Sequence, residues 1–235
     1  MTSSWGQYPS GVIISGIAHG GGHWETIPEG VELWAINDSW LEDERIPDYA
    51  TRWFEMHTWE RTLRKRSPEH ISWLKERHSF PIYMPETTRC VPSSVRYPIE
   101  EVRKLVPSML RGEVAAKDVF GCSFAYMVAL AILEKLNPIS LTHIRLTGWI
   151  EAYLELSSLS FWLGVAAARG HEIYLPKHSA VVPEQLYGYS ERYAPGWAYF
   201  LDDEVEYVEA RKQRPKWRTD GTQTGLVHRG RKRPH

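Results

Sequence analysis

The run Arg52 to His57, RWFEMH, sets a glutamate and a histidine two residues apart. If that segment is extended, Glu55 and His57 project to the same side. His57 is then a candidate general acid or base, or a hydrogen-bond donor to a phosphate; equally, it reads as a hydrogen-bonded histidine that closes a strand. A second carboxylate candidate lies in Leu146 to Glu151, LTGWIE, with Glu155 four residues further on. Glu151 at a strand's end can hold ribose hydroxyls or act as a base, and a solvated loop acid is the alternative. Gly11 to Trp40, GVIISGIAHGGGHWETIPEGVELWAINDSW, supplies binding rather than reacting groups. Gly16, Gly20, Gly21 and Gly22 lack side chains, so a phosphate can approach their backbone N–H groups closely. Asn37 ends the strand after them and offers both a donor and an acceptor to a base or ribose edge, or else caps a turn. Ser123, in GCSF before an apolar run, marks a helix start whose free N–H groups would cradle an anion, or is an ordinary N-cap. Cys122 beside it is a minor nucleophile candidate with a lowered pKa at the helix start. His19, His23 and His57 match no closed zinc spacing, so no metal site is expected.

These residues need elements to gather them. Strand-like runs occur at 12–15, 32–36, 52–56, 81–84, 143–147 and 172–175, with helical patterns between several of them. Residues 60–78 are long and polar, and Ser67, Pro68 and Glu69 restart a helix within them. Short helix from Pro98, buried helix over 124–136, and a further helix over 156–169 closed by Gly170 complete the pattern. Alternating strands and helices predict an α/β, Rossmann-like fold, its sheet mostly parallel and covered by helices on both faces. Loops at the carboxyl edge of such a sheet converge on one crevice, where Gly20, Asn37, His57, Ser123 and Glu151 are expected to meet. Residues 85–98, with three prolines, read as a long loop able to cover it.

The chain has 235 residues, 43% of them hydrophobic, enough for one large domain or a domain with an extension. No apolar run approaches the roughly 20 residues of a membrane span, and residues 1–10 lack the apolar core of a signal peptide. Two cysteines make no disulfide framework, so a cytoplasmic setting is expected. The net charge of −1 conceals an asymmetry: residues 211–235 hold nine Lys and Arg against Asp220 alone, which leaves residues 1–210 at about −9. The division expected is a nucleotide-binding domain over 1–210 and a basic, disordered tail over 211–235. The tail either contacts nucleic acid or simply solubilises the chain.

In order along the chain, SGIAHGGG, ELWAIND, RWFEMH, CSFAYMVALAI, IRLTGWIEAY and EIYLPKHS resemble a Rossmann-like group. It includes the CMP-sialic-acid-dependent sialyltransferases of bacterial surface glycan synthesis, proteins of tailed bacteriophages, and the pterin-pyrophosphokinase-like family. The resemblance to the phage proteins extends to a late Y-G-Y at Tyr187 to Tyr189. The resemblance spans about residues 11–190. It implies that Gly16, Gly20 and Asn37 hold a nucleotide and that Ser123 contacts the donor. Departures are specific: Met56 and His57 stand at the family's third-strand asparagine, and Trp149 at its usual acid. The catalytic histidine before the next helix has no counterpart, with Glu155 near its place, and the first loop lacks Gly-Pro-Ser. The function implied is a nucleotide- or nucleotide-sugar-binding, glycosyltransferase-like transferase of phage origin, acting in the host cytoplasm. No cofactor is obligatory beyond the nucleotide ligand. The alternative is a non-enzymatic protein that sequesters a nucleotide.

Overall fold

Short β-branched and apolar runs, stopped by glycine, asparagine and proline, become the strands of one sheet. The computed structural model describes residues 10–16, 24–106, 119–144, 149–175 and 181, with the backbone alone for 149–154. The strands are β1 (Gly11–Ser15), β2 (Val31–Ile36), β3 (Arg52–Phe54), β4 (Ile82–Met84), β5 (Ser94–Arg96), β6 (Ile139–Thr142) and β7 (Ile173–Tyr174). The helices are α1 (Ile46–Tyr49), α2 (Trp59–Lys65), α3 (Pro68–Leu74), α4 (Ile99–Arg103), α5 (Ser123–Leu133) and α6 (Trp149–Ala168). The seven strands lie in the order β5-β4-β3-β2-β1-β6-β7, and every pairing between them is parallel. The fold is the α/β, Rossmann-like one that the alternation of elements predicts. The chain winds outward from β1 to β5, then returns to place β6 on the other side of β1. That reversal is the topological switch point, beside which ligands bind in such sheets.

Both faces of the sheet are buried. Val12, Ile14, Trp34, Ile36 and Phe54 pack with α5 and α6 on one face. Leu33, Ala35, Trp53, Ile82 and Met84 pack with Ile46 of α1 and Leu74 of α3 on the other. Strict alternation within β2 and β3 thus feeds two cores, which is why these strands read as continuous apolar runs. Helix α5 is buried nearly all round, from Phe124 to Ile132. Helix α6 ends where expected: Gly170 has φ +83°, and the Gly170 and His171 N–H groups return to Ala167 and Ala166 in a Schellman closure.

Three expectations need correction. Where a strand is predicted at 143–147, pairing with β1 sets β6 at Ile139–Thr142 (Val12 opposite Ile139, Ser15 opposite Thr142) and His143, at φ +52°, turns the chain out of the sheet, while residues 145–147 lie outside the described residues. The stretch 85–98 is not wholly a loop: β5 pairs with β4 from Ile82 opposite Ser94 to Met84 opposite Arg96. Its prolines bracket that strand, as an edge position permits. Helix α6 begins at Trp149, about two turns earlier than the pattern suggests, so Glu151 lies within its first turn. Packing divides the chain into two units, Met1–Tyr193 and Ala194–His235, and the second lies outside the described residues. The basic stretch 211–235 belongs to it. Among the described residues, no helix is long and apolar enough to cross a membrane.

Candidate functional site

The carboxyl edge of the sheet opens into a cavity of about 500 Å³. Asn37 from the end of β2 and Met56 and His57 from the end of β3 form its floor, with Arg61, Lys65 and Arg66 from α2 and just beyond it on one side. Residues Phe120 to Ser123, Tyr126 of α5 and Glu155 of α6 form the other side.

Glu55 organises the floor. Its side chain is fully buried, directly after β3, and its N–H bonds the Tyr83 carbonyl at 2.9 Å. Three side chains converge on its carboxylate. His57 Nδ1 meets Oε1, Arg66 Nε donates to Oε2 at 3.2 Å, and His70 Nε2 meets Oε2 at 3.2 Å. Trp40 Nε1 donates to His70 Nδ1 at 2.9 Å. An indole N–H can only donate, so His70 Nδ1 is bare and its hydrogen sits on Nε2, which donates to Glu55. Burial alone would raise the Glu55 carboxyl, but the His57 and His70 hydrogen bonds and the Arg66 charge outweigh it and hold the group at about 2. An ionised carboxylate requires donors, so His57 presents Nδ1–H to it. Arg66 also approaches that Nδ1, at 3.3 Å, but the carboxylate contact is the closer one and decides the tautomer. Nε2 of His57 is left as the acceptor, on a ring that lines the cavity.

Local sequence builds this arrangement. Ser67 caps α3, accepting from the His70 N–H at 3.2 Å, and Pro68 follows at the first helical position. This break between α2 and α3 carries Arg66 and sets His70 beneath Glu55. Arg66 also reaches Asp38 at 3.5 Å. On the other side, Ser158 Oγ accepts from the Gly121 N–H at 2.8 Å and donates to the Val119 carbonyl at 2.6 Å, while Trp162 Nε1 donates to the same carbonyl at 2.9 Å. Helix α6 thereby pins the segment that leads into α5, and the amino end of α5 borders the cavity.

Asn37 adopts φ +48°, a left-handed conformation that asparagine tolerates. Its N–H bonds the Phe54 carbonyl and its own carbonyl accepts from Trp53 Nε1, both at 2.9 Å. Its side chain caps nothing: the residue is 9% exposed, and Oδ1 has no hydrogen-bond partner among the described residues. Ser123 lines the cavity as the first residue of α5, but Cys122, not Ser123, is the N-cap. Burial pushes the Cys122 thiol up to about 12, against the lowering expected from the helix start, and Sγ donates to the Glu155 carbonyl at 3.5 Å. Cys122 thus lacks the lowered pKa that the helix start was expected to give it.

The structure brings Asn37, His57 and Ser123 to one cavity, and Glu155 joins them. Gly20 and Gly21 lie outside the described residues, as do His19 and His23. Glu151 is placed by its backbone alone, one helical turn before Glu155. Gly16, at the end of β1, is not among the residues that line the cavity; a Cβ there would fall 2.2 Å from the His143 carbonyl oxygen. Close packing of β1 against the turn after β6 therefore requires this glycine with or without a ligand. Arg61, Lys65 and Arg66 went unread in the sequence, although Arg61 and Lys65 stand at the i, i+4 spacing that shares a helix face.

No protein-family model matches the chain, and no curated protein matches it at a significant level. Among solved structures, it is similar to the sialyltransferase CstII from Campylobacter jejuni in complex with a substrate analogue, cytidine-5'-monophosphate. The TM-score is 0.44 at 14% identity, over 71% of this chain and 79% of that one.

Proposed function

We propose that the protein is a nucleotide- or nucleotide-sugar-binding transferase of the glycosyltransferase type, with His57 as its general base. The observation that carries this reading is the buried Glu55 carboxylate bound to His57 Nδ1, which leaves Nε2 as the acceptor on a ring that lines a cavity at the switch-point edge of a parallel sheet. In the reaction envisaged, Nε2 takes the proton of an acceptor hydroxyl. The acceptor oxygen bonds to the transferred carbon, and the phosphate leaves with the electron pair of the broken bond. Glu55 holds the ring in the receptive tautomer and stabilises the imidazolium that results, as a buried carboxylate does behind a catalytic histidine. Asn37 supports the nucleotide part of the reading, because an unpartnered buried amide oxygen is completed by a donor on a base or ribose. Ser123 and the first N–H groups of α5 offer hydrogen bonds to the donor. Gly20 and Gly21 would border the nucleotide from the β1 side, and Glu151 is the alternative base on α6.

A thermal-shift screen over nucleotides and nucleotide sugars, followed by turnover with any binder, tests this. A ligand at 100 times its Kd stabilises by about 2.7 kcal/mol, which is readily seen. Asn37→Ala should weaken binding by about 1–3 kcal/mol. His57→Ala should lower turnover by about 10²–10⁴-fold with little loss of affinity. Tight binding with no turnover in the wild type would sink the transferase reading and leave a sequestering protein; a larger loss from Glu151→Gln than from His57→Ala would reassign the base.

A further inference from the structure

Charge in the cavity is uneven in a way the base and the amide do not explain. Arg66 is spent: its guanidinium contacts Glu55 at 3.2 Å and Asp38 at 3.5 Å, so its charge is matched within the protein. Arg61 and Lys65 are not. Both line the cavity, four residues apart on α2, so their side chains leave one helix face about 6 Å apart. Among the described residues neither has a carboxylate within 4.0 Å. Glu155, the acid of the lining, comes from α6 on the other side. An exposed Arg–Lys pair on a convex surface would be a solvated face. Here the pair is held over a concave site whose floor holds a bare imidazole nitrogen and a buried amide oxygen without a donor. Concave, low-dielectric walls focus such charge, and forked and point-charge donors together suit phosphate oxygens.

We infer that Arg61 and Lys65 form the phosphate subsite of this cavity, and that two unmatched cations select a pyrophosphate-bearing ligand, of the nucleoside diphosphate class, over a nucleoside monophosphate. This rests on the nucleotide reading of the same cavity and specifies it. The phosphates then lie on α2, beside His57, and not on the glycine-rich segment after β1 alone. Affinity for the ligand must depend on ionic strength, because two charge pairs form on binding.

The experiment is calorimetric titration of the full-length protein with inorganic pyrophosphate and with matched pairs of nucleoside mono- and diphosphates carrying each common base. The variants are Arg61→Gln, Lys65→Gln and the double variant. Both side chains are exposed, so the variants should melt with the wild type, which the same samples verify. At least one diphosphate should bind about tenfold or more tightly than its monophosphate, from one charge-assisted contact of about 1.5 kcal/mol or more. Each single variant should shrink that ratio, and the double variant should bring it near one. Equal affinity for the two members of every pair overturns the inference, as does a preference that survives in the double variant. Binding of pyrophosphate that requires Arg61 and Lys65, with no nucleotide binding at all, upholds the subsite while removing the nucleotide reading. Turnover that requires His57 but ignores both cations does the reverse.

Discussion

At the residue scale, the chemistry depends on which nitrogen of His57 carries hydrogen. Four side chains settle that: Trp40 donates to His70, His70 to Glu55, and His57 to the other oxygen of the same carboxylate, with Arg66 balancing the charge. In a ¹⁵N-resolved spectrum of the imidazoles above pH 8, His57 should show Nδ1 protonated and Nε2 bare. Glu55→Gln, which cannot accept from two imidazoles and carries no charge, should return His57 to the tautomer mixture of a free imidazole. A wild-type spectrum with hydrogen on Nε2 would remove the base. The pair Glu55 and His57 was legible from its spacing of two in an extended run. Its support was not, because Trp40 and His70 reach it from 15 residues before Glu55 and 15 after, through contacts that only the fold creates. Asn37 was legible as a residue at a strand's end, but its two readings differed only in where Oδ1 points, and sequence carries no such information.

At the element scale, strands β1 to β4 and β7 fell where apolar runs put them, since a buried parallel strand is written as such a run. Strand β6 was displaced because its apolar signal continues into Ile144, past the turn that His143 imposes. Strand β5 was missed because three residues, two half-buried and one exposed, carry almost no pattern. The α2–α3 break was legible from Ser67 and Pro68, which act through local backbone chemistry alone. Gly16 illustrates the reverse. Its place in a glycine-rich stretch suggests a ligand, whereas its geometry demands close passage of two chain segments. Gly16→Ala should therefore lower stability by about 1–3 kcal/mol or more, the range for overpacking a tight contact, in the absence of any ligand. Thermal or urea unfolding measures it. An alanine variant as stable as the wild type, yet defective in ligand binding, would restore a binding role to this position.

At the scale of the whole molecule, the base and the fold share one carboxylate. Glu55 ties the end of β3 to the junction of α2 and α3 and, through His70, to the turn after β2 that carries Trp40. Its pKa is depressed from 4.5 to about 2 in the folded protein. The sign of the linkage follows: the unfolded chain binds a proton more readily, so the stabilisation is complete above the unfolded value and disappears as pH falls through the folded one. A shift of that size corresponds to about 3 kcal/mol, a large share of a typical domain's 5–15 kcal/mol. Urea unfolding at a series of pH values should show wild-type stability falling between about pH 4.5 and pH 2, steeper than in Glu55→Gln by up to about 1.4 kcal/mol per pH unit from this one group. The variant should start lower at neutral pH, because Arg66 and two imidazoles lose their shared anion, and its curve should converge on the wild type in acid. Parallel curves with no convergence would mean that Glu55 is protonated in the folded state, and the tautomer assigned to His57 would lose its cause.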